Sequence, residues 1–219
     1  MIARSAKSRP PVRDPERTRE RILGAALREF SERGFAGARV DRIARMARAN
    51  KRMLYHYFGN KDDLFREILR RKLSQRAKWA EAAPEEPAAT LRYWFEIVCR
   101  ERDWLRLTQW EALEHRNGPL VREAERRAAL DDSVKRVGRS QAKGLIARDL
   151  DPRHTLLCMA ALTAYPMAFP QIVRLVTGLK PTDPAFQQQW TALLQRVAHA
   201  FRPHHASSAL VGSENGRVR

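Results

Sequence analysis

The chain has 219 residues, 43% of them hydrophobic and 31% charged, with a mean hydropathy of −0.57. This composition excludes both a wholly disordered chain and a multi-span membrane protein, and the length suits one large domain or two small ones. Lys and Arg number 42 against 25 Asp and Glu, a formal charge of +17, and that excess points to a polyanionic partner.

The excess is uneven: residues 1–80 carry 22 basic and 9 acidic side chains, the remainder 20 and 16. The polyanion site is therefore expected in the first third. Only Cys99 and Cys158 are present, which supplies neither a disulfide framework nor a paired-cysteine metal knuckle and fits a reducing cytoplasm. Residues 1–14 carry Arg4, Lys7, Arg9 and Arg13 and two prolines, without the apolar run of a secretory signal. They read as a disordered basic arm.

From Pro15 the apolar period becomes helical. Ile22, Leu23, Ala26, Leu27 and Phe30 form a stripe, Pro15 and Glu16 suit a first turn, and Gly34 ends the helix. Val40, Ile43, Ala44 and Ala47 fit a second helix of about two turns. Asn50 caps a third through Leu54 and Phe58, and Asn60 caps a fourth with the stripe Leu64, Phe65, Ile68, Leu69 and Leu73.

Beyond the Pro84–Pro87 break the periods stay helical, with helices expected near 88–101, 103–115, 119–147, 152–177 and 184–201. Thr155–Val173 carries no charge over 19 residues, close to a membrane span in length. Pro166 and Pro170 interrupt it and Thr155, Thr163 and Gln171 dilute it, so it reads as a buried bundle or dimer-seam helix, with no membrane contact expected. Residues 203–219 read as a disordered tail.

Two short helices joined by a tight turn, the second polar and aromatic, make a helix-turn-helix candidate. In Asn50–Phe58, Leu54 and Phe58 share one stripe and leave Lys51, Arg52, Tyr55 and His56 available for DNA. Arg and Lys pair with guanine edges, while Tyr57 and Lys61 are candidate phosphate contacts. Core packing is the competing role for Tyr55 and Tyr57.

Catalysis is not expected. His115 with Glu111 and Glu114, and His154 with Asp151, lack any accompanying HExxH, GxSxG or Gly-rich phosphate loop. No metal or cofactor is expected either.

The ordered set Ile22-Leu23-x-Ala25-Ala26-x-x-x-Phe30, Gly34-Phe35, Val40-Asp41-x-Ile43-Ala44-x-x-Ala47, Lys51 and Leu54-Tyr55-His56-Tyr57-Phe58-x-Asn60-Lys61-x-x-Leu64 resembles the TetR family of bacterial transcriptional regulators. The resemblance implies an all-α homodimer. A helix-turn-helix domain over 15–60 binds a palindromic DNA operator, and a connecting helix with a ligand-binding and dimerisation bundle occupies 61–202. It also implies a cytoplasmic, nucleoid-associated repressor released by a small-molecule effector.

Three departures stand out. Ala38 and Arg39 occupy the place of the family's usual Thr, so a charged phosphate contact from Arg39 replaces a hydroxyl. The usual Ala-Gly-Val-Ser turn is Ala47-Arg48-Ala49-Asn50, which implies either a strained Arg48 or a different turn. Arg52 stands where small residues are frequent and adds a base or phosphate reader.

The second half, from Gly144-Leu145 through Asp151-Pro152 to Val176-Thr177-Gly178, is similar in layout to the pyrimidine-utilisation (RutR-type) subgroup. That subgroup's pocket Trp and Gln fall at Ala160 and Ala164, so two polar pocket groups are absent. Trp94, Trp110, Met159, Thr163 and Tyr165 are the candidate effector contacts, with Trp104 a further aromatic. Leu157, Ala161, Phe169, Val173, Phe186, Trp190, Leu193 and Val197 are the candidate dimer seam. The alternative to a ligand-responsive repressor is an architectural DNA-binding protein of the same fold with little sequence discrimination and no effector.

Overall fold

A computed structural model describes residues 14–115 and 118–203, so the basic arm through Arg13 and the tail from His204 lie outside the described residues. The elements are α1 (Pro15–Gly37), α2 (Val40–Met46), α3 (Lys51–Phe58), α4 (Lys61–Ala82), α5 (Pro87–Arg100), α6 (Arg102–His115), α7 (Glu123–Ala142), α8 (Pro152–Ala168), α9 (Pro170–Thr177) and α10 (Pro184–Ala198), followed by a 3₁₀ turn, His199–Phe201. Among the described residues the fold is all-helical, as expected.

The caps named from sequence form. The Asn50 side chain accepts from the Met53 N–H at 2.8 Å, and Asn60 accepts from the Asp63 N–H at 2.8 Å. Each satisfies a donor that a helix start leaves open. Asp14 does the same for α1, accepting from Glu16 and Arg17 at 3.0 and 3.2 Å.

Three boundaries differ from the sequence reading. Gly34 breaks α1 as expected, at φ 69° and ψ 177°, but helical turns resume to Gly37. The seventh helix is shorter than 119–147. Arg122 precedes it in the left-handed region, and Gly144 at φ 70° closes it while the Leu145 N–H bonds back to the Ser140 carbonyl at 2.9 Å; that glycine is an ordinary helix stop.

The expected single helix over 152–177 is two helices bent by 83°. Pro170 cannot donate and clashes with the preceding turn, so it starts a new helix instead of continuing the old one. No single described helix is long and apolar enough to cross a membrane.

Two apolar cores result. The first joins Ile22, Ala26, Phe30, Ile43, Leu54, Phe58, Leu64, Phe65 and Ile68 from α1–α4, with Leu107 of α6. Its centre is aromatic: Phe30 meets Phe65 edge-on at 5.0 Å and Phe35 lies 5.1 Å from Phe65. The second joins Leu91, Phe95, Val137, Met159, Val173, Phe186 and Leu194 from α5 and α7–α10.

Helix α6 lies between them, packed on α1 and on α8. Trp110 Nε1 donates to the Ser31 carbonyl at 3.2 Å, and the Ala36 N–H donates to Glu114 Oε1 at 3.2 Å. Gly34 sits under this contact. A Cβ there would collide with Glu114 Oε1 and come within 2.9 Å of the Trp110 ring, so glycine is required for closeness as well as for its positive φ.

The expected dimer residues divide. Leu157, Ala161, Phe169 and Leu193 are exposed, whereas Val173 and Phe186 are buried in the chain's own second core. Trp190 and Val197 pack against that core too, and Trp190 Nε1 donates to the Leu162 carbonyl at 3.1 Å. Phe186, Trp190 and Leu194 share one stripe that the second core covers, while Leu193 stands at the margin of that stripe, where the chain's own helices leave it exposed. Exposed neighbours that the sequence reading did not name are Ile172, Leu175 and Val176, the last two 76% and 78% exposed.

An ion network fastens α1 to α4. Glu67 accepts from Arg70 at 2.7 and 2.9 Å, from Arg71 at 3.0 Å and from Arg19 at 3.1 Å, while Arg71 also holds Glu20. The Arg70 hydrogen bonds, opposed by desolvation and reinforced by Arg71, lower the Glu67 pKa from 4.5 to about 2.

A carboxylate depressed in the fold contributes stability that is complete above its unfolded pKa and is lost as pH falls through the folded one. Glu67→Gln is expected to cost about 2 kcal/mol at neutral pH by urea unfolding. The gap between variant and parent should close as pH falls from 4.5 to about 2.

Candidate nucleic-acid interface

From Arg39 to Lys61 the chain has seven Lys and Arg, with Asp41 its single acid. Ile43, Ala44, Ala47, Leu54 and Phe58 are buried, which turns α2 and α3 so that Arg39, Arg45, Arg48, Asn50, Lys51, Arg52, Tyr55 and His56 are all exposed. Tyr55, at 47% exposure, points out, whereas Tyr57 is half-buried against the first core with His56 edge-on at 5.4 Å. The two roles weighed for these tyrosines thus fall on different residues: Tyr57 packs partly and Tyr55 does not.

Each candidate is held differently. Lys51 Nζ pairs with Asp41 at 2.5 Å, both residues exposed; such a pair is worth about 0–1 kcal/mol, so it opens at small cost. Lys61 reaches back over the Phe35 ring at 4.7 Å and lies 3.5 Å from the Ala36 carbonyl. It thereby ties the start of α4 to the end of α1. Asn50 spends its side-chain oxygen on the cap, leaving its NH₂ as the group free for DNA.

Arg39 caps α2 through its backbone, and its N–H donates to Glu29 Oε1 at 3.0 Å. Glu29 was missed from sequence as a site residue. It is 1% exposed, with Arg42 at 3.6 Å and Arg33 at 3.9 Å, and its Oε2 has no hydrogen-bond partner. A buried carboxylate fixes the α1–α2 loop and so sets where Arg39 points. The available signal was its place on the buried stripe, three residues after Ala26 and seven after Ile22.

Arg48 resolves the turn. It lies at φ 50°, with its N–H bonded to the Arg45 carbonyl at 3.1 Å and the Ala49 N–H bonded to the Ala44 carbonyl at 2.9 Å. This is the helix-ending turn in which glycine is usual, kept here with an arginine in the left-handed position. Of the two alternatives, the strained residue is the one present.

The candidate effector contacts do not converge on one enclosed chamber. Trp94 is half-buried, Met159 is in the second core, and Thr163 is buried with its hydroxyl bonded to the Met159 and Ala160 carbonyls. Trp110 is engaged with Ser31 and Gly34 at the α1–α6 contact, and Tyr165 is 46% exposed beside Phe169.

A cavity of about 590 Å³ does open between α5 and α10, lined by residues that include Arg92, Cys99, Arg100, Gln187, Thr191 and Gln195. Burial pushes the Cys99 thiol up to about 11, so it is a poor nucleophile. His154 and Asp151, the pair weighed for catalysis, form the start of α8: Asp151 accepts from the Arg153 and His154 N–H groups at 2.8 and 2.9 Å.

Comparison with known proteins decides the family. The model for bacterial regulatory proteins of the tetR family matches residues 22–68, and that for the tetracyclin repressor-like C-terminal domain matches residues 90–199. The chain belongs to the TetR family of bacterial transcriptional regulators. It is 35% identical over 167 residues to the HTH-type transcriptional repressor SCO4008 of Streptomyces coelicolor, spanning 76% of this chain and 87% of that one.

To the HTH-type transcriptional regulator RutR of Escherichia coli it is 28% identical over 183 residues, spanning 80% and 86%. In fold it resembles SCO4942 of Streptomyces coelicolor, with TM-score 0.70 and 25% identity over 82% of this chain and 97% of that one. It also resembles AibR in complex with isovaleryl coenzyme A and operator DNA, with TM-score 0.62 and 19% identity over 85% and 98%. This TetR-family chain is a helix-turn-helix regulator, and neither its family nor these relatives are enzymes.

Arg48→Gly relieves the left-handed strain. The expected gain is about 0.5–1 kcal/mol in urea or thermal unfolding, with the α2–α3 geometry unchanged.

Proposed function

We propose that the chain is a dimeric, ligand-responsive repressor whose α2–α3 unit reads a palindromic operator. The observation that carries this reading is the cluster of exposed cations and Tyr55 on one side of an apolar-anchored helix pair. Arg52, Tyr55 and His56 supply groups for base edges, with Lys51 beside them. Arg39, Tyr57 and Lys61 flank them at phosphate-contacting positions, and the NH₂ of Asn50 adds a donor at the helix start. On this reading residues 15–60 are the reading head, 61–202 the connecting helix and bundle, and the basic arm and the tail flank them.

A second copy of the chain is the partner for α8–α10. Leu157, Phe169, Ile172, Leu175, Val176 and Leu193 are exposed on those helices, and clustered exposed apolar side chains are a mark of protein–protein contact. Two reading heads related by a two-fold axis then match two half-sites about one helical turn apart.

The effector reading rests on the family and on the α5–α10 cavity. A small molecule bound in the bundle shifts the population of head arrangements through α4 and α6, by as much as its affinity differs between them. A cytoplasmic protein held on the nucleoid by its DNA is the corresponding setting.

The test is selection of bound fragments from random DNA by the full chain at about physiological salt. A palindrome is expected. Arg52→Ala should relax preference at one position in each half-site by about 1–3 kcal/mol, whereas Tyr57→Phe should weaken all sequences alike. Enrichment of no sequence, with a steep salt dependence, would replace the operator reading by architectural binding.

A further inference from the structure

Between α4, α5 and α6 lies a cation with which no carboxylate of the described residues pairs. Arg76 on α4 is half-buried, its guanidinium 5.2 Å from the ring centre of Trp94 and 5.5 Å from that of Trp104. Among the described residues it has no ion-pair or hydrogen-bond partner, and burial alone lowers its pKa from the ordinary arginine value.

The nearby carboxylates are already taken. One turn earlier on α4, Lys72 holds Glu101 at 2.6 Å, and Arg126 of α7 clasps Glu111 at 2.6 and 3.2 Å. Arg126 lies over the same Trp104 ring, at 5.5 Å, and its own Nε is enclosed without an acceptor. Two guanidiniums therefore lie over Trp104, and of the two only Arg126 has a carboxylate partner among the described residues.

An indole attracts a guanidinium through its face but accepts none of the five N–H donors along the guanidinium edge. Half-buried, with no protein acceptor among the described residues, that edge is left to water, and a carboxylate is the group whose two oxygens match it. The indoles supply an apolar wall for the rest of such a molecule.

We propose that Arg76 anchors the carboxylate of a small organic acid in a site under α4, with Trp94 and Trp104 against its apolar body and Arg126 adding positive field. The site rests on the effector reading only for its consequence, since the ligand would then grip the helix that leads directly to α3. A cationic ligand is disfavoured by the same two guanidiniums.

The experiment uses the full chain and five probes. Benzoate and hexanoate are the acids, benzamide and hexanamide their neutral isosteres, and benzyltrimethylammonium the cation. Binding is read by calorimetry and by tryptophan emission.

The acids are expected to bind at least about tenfold more tightly than the amides. Arg76→Met should remove that preference with far-UV circular dichroism unchanged. Arg76→Lys, which keeps the charge but loses the planar fork, should be intermediate, and it serves as the test if the Met variant does not fold.

Acids and amides binding equally, the ammonium binding best, no probe binding, or a preference that survives Arg76→Met would each overturn the site. Release of a selected duplex is measured separately. Acids that bind through Arg76 yet leave DNA bound keep the site and remove its link to operator release, whereas failure of every acid to bind removes the site and leaves the effector reading as it stands on the α5–α10 cavity.

Discussion

The arrangement depends on how closely α1 approaches α6. Gly34 carries no Cβ and adopts φ 69°, so the end of α1 turns across the Trp110 ring, and Ser31 and Ala36 exchange hydrogen bonds with Trp110 and Glu114. Any larger residue would prise the helices apart. Because Phe30, Phe35 and Phe65 pack beside this joint and Leu107 of α6 enters the same core, the position of α2 and α3 is set by the bundle and not by the reading head alone. A regulator needs such a joint: a change among the bundle helices reaches the head only through elements packed firmly enough to move together.

Electrostatics divides the cations into two populations. Arg19, Arg70 and Arg71 are committed to Glu67 and Glu20, and Arg126 to Glu111, so these charges fasten helices. Arg39, Arg45, Arg48 and Arg52 project from the α2–α3 unit into solvent, while the Lys51 pair with Asp41 is exposed and easily exchanged. The formal +17 alone says only that a polyanion is favoured; which cations are free, and on what surface, gives the charge a direction.

Much of this was legible in the sequence because it is local. Caps at Asn50 and Asn60, the apolar stripes of α1, α3 and α4, and the tension at Arg48 each follow from a few adjacent residues. What was not legible depends on distant packing. Glu29 stands on the buried stripe of α1, but what it holds is set only when the loop after α1 folds over it, and Trp110 resembles a pocket aromatic until Gly34 is found against it.

The candidate dimer residues divide for the same reason. Period identifies an apolar stripe, but Phe186 and Leu193, two turns apart on nearly the same side of α10, are buried and exposed respectively, and only the neighbouring helices decide how much of that side is covered. Gly144 is a local stop signal that the sequence reading leaves out, and Pro170, read there as an interruption, is a full helix boundary; each ends or starts a helix inside a run that otherwise looks continuous.

The central claim is that the exposed side of α2 and α3 is the DNA surface and that the bundle holds it in place. Hydrogen–deuterium exchange of the full chain, with and without a bound duplex, tests it directly. The account predicts slowed exchange across the turn from Ala47 to Met53 and in the last turns of α1, with a smaller effect in α6 around Trp110. Protection centred on α7, or none in α2 and α3, would contradict it.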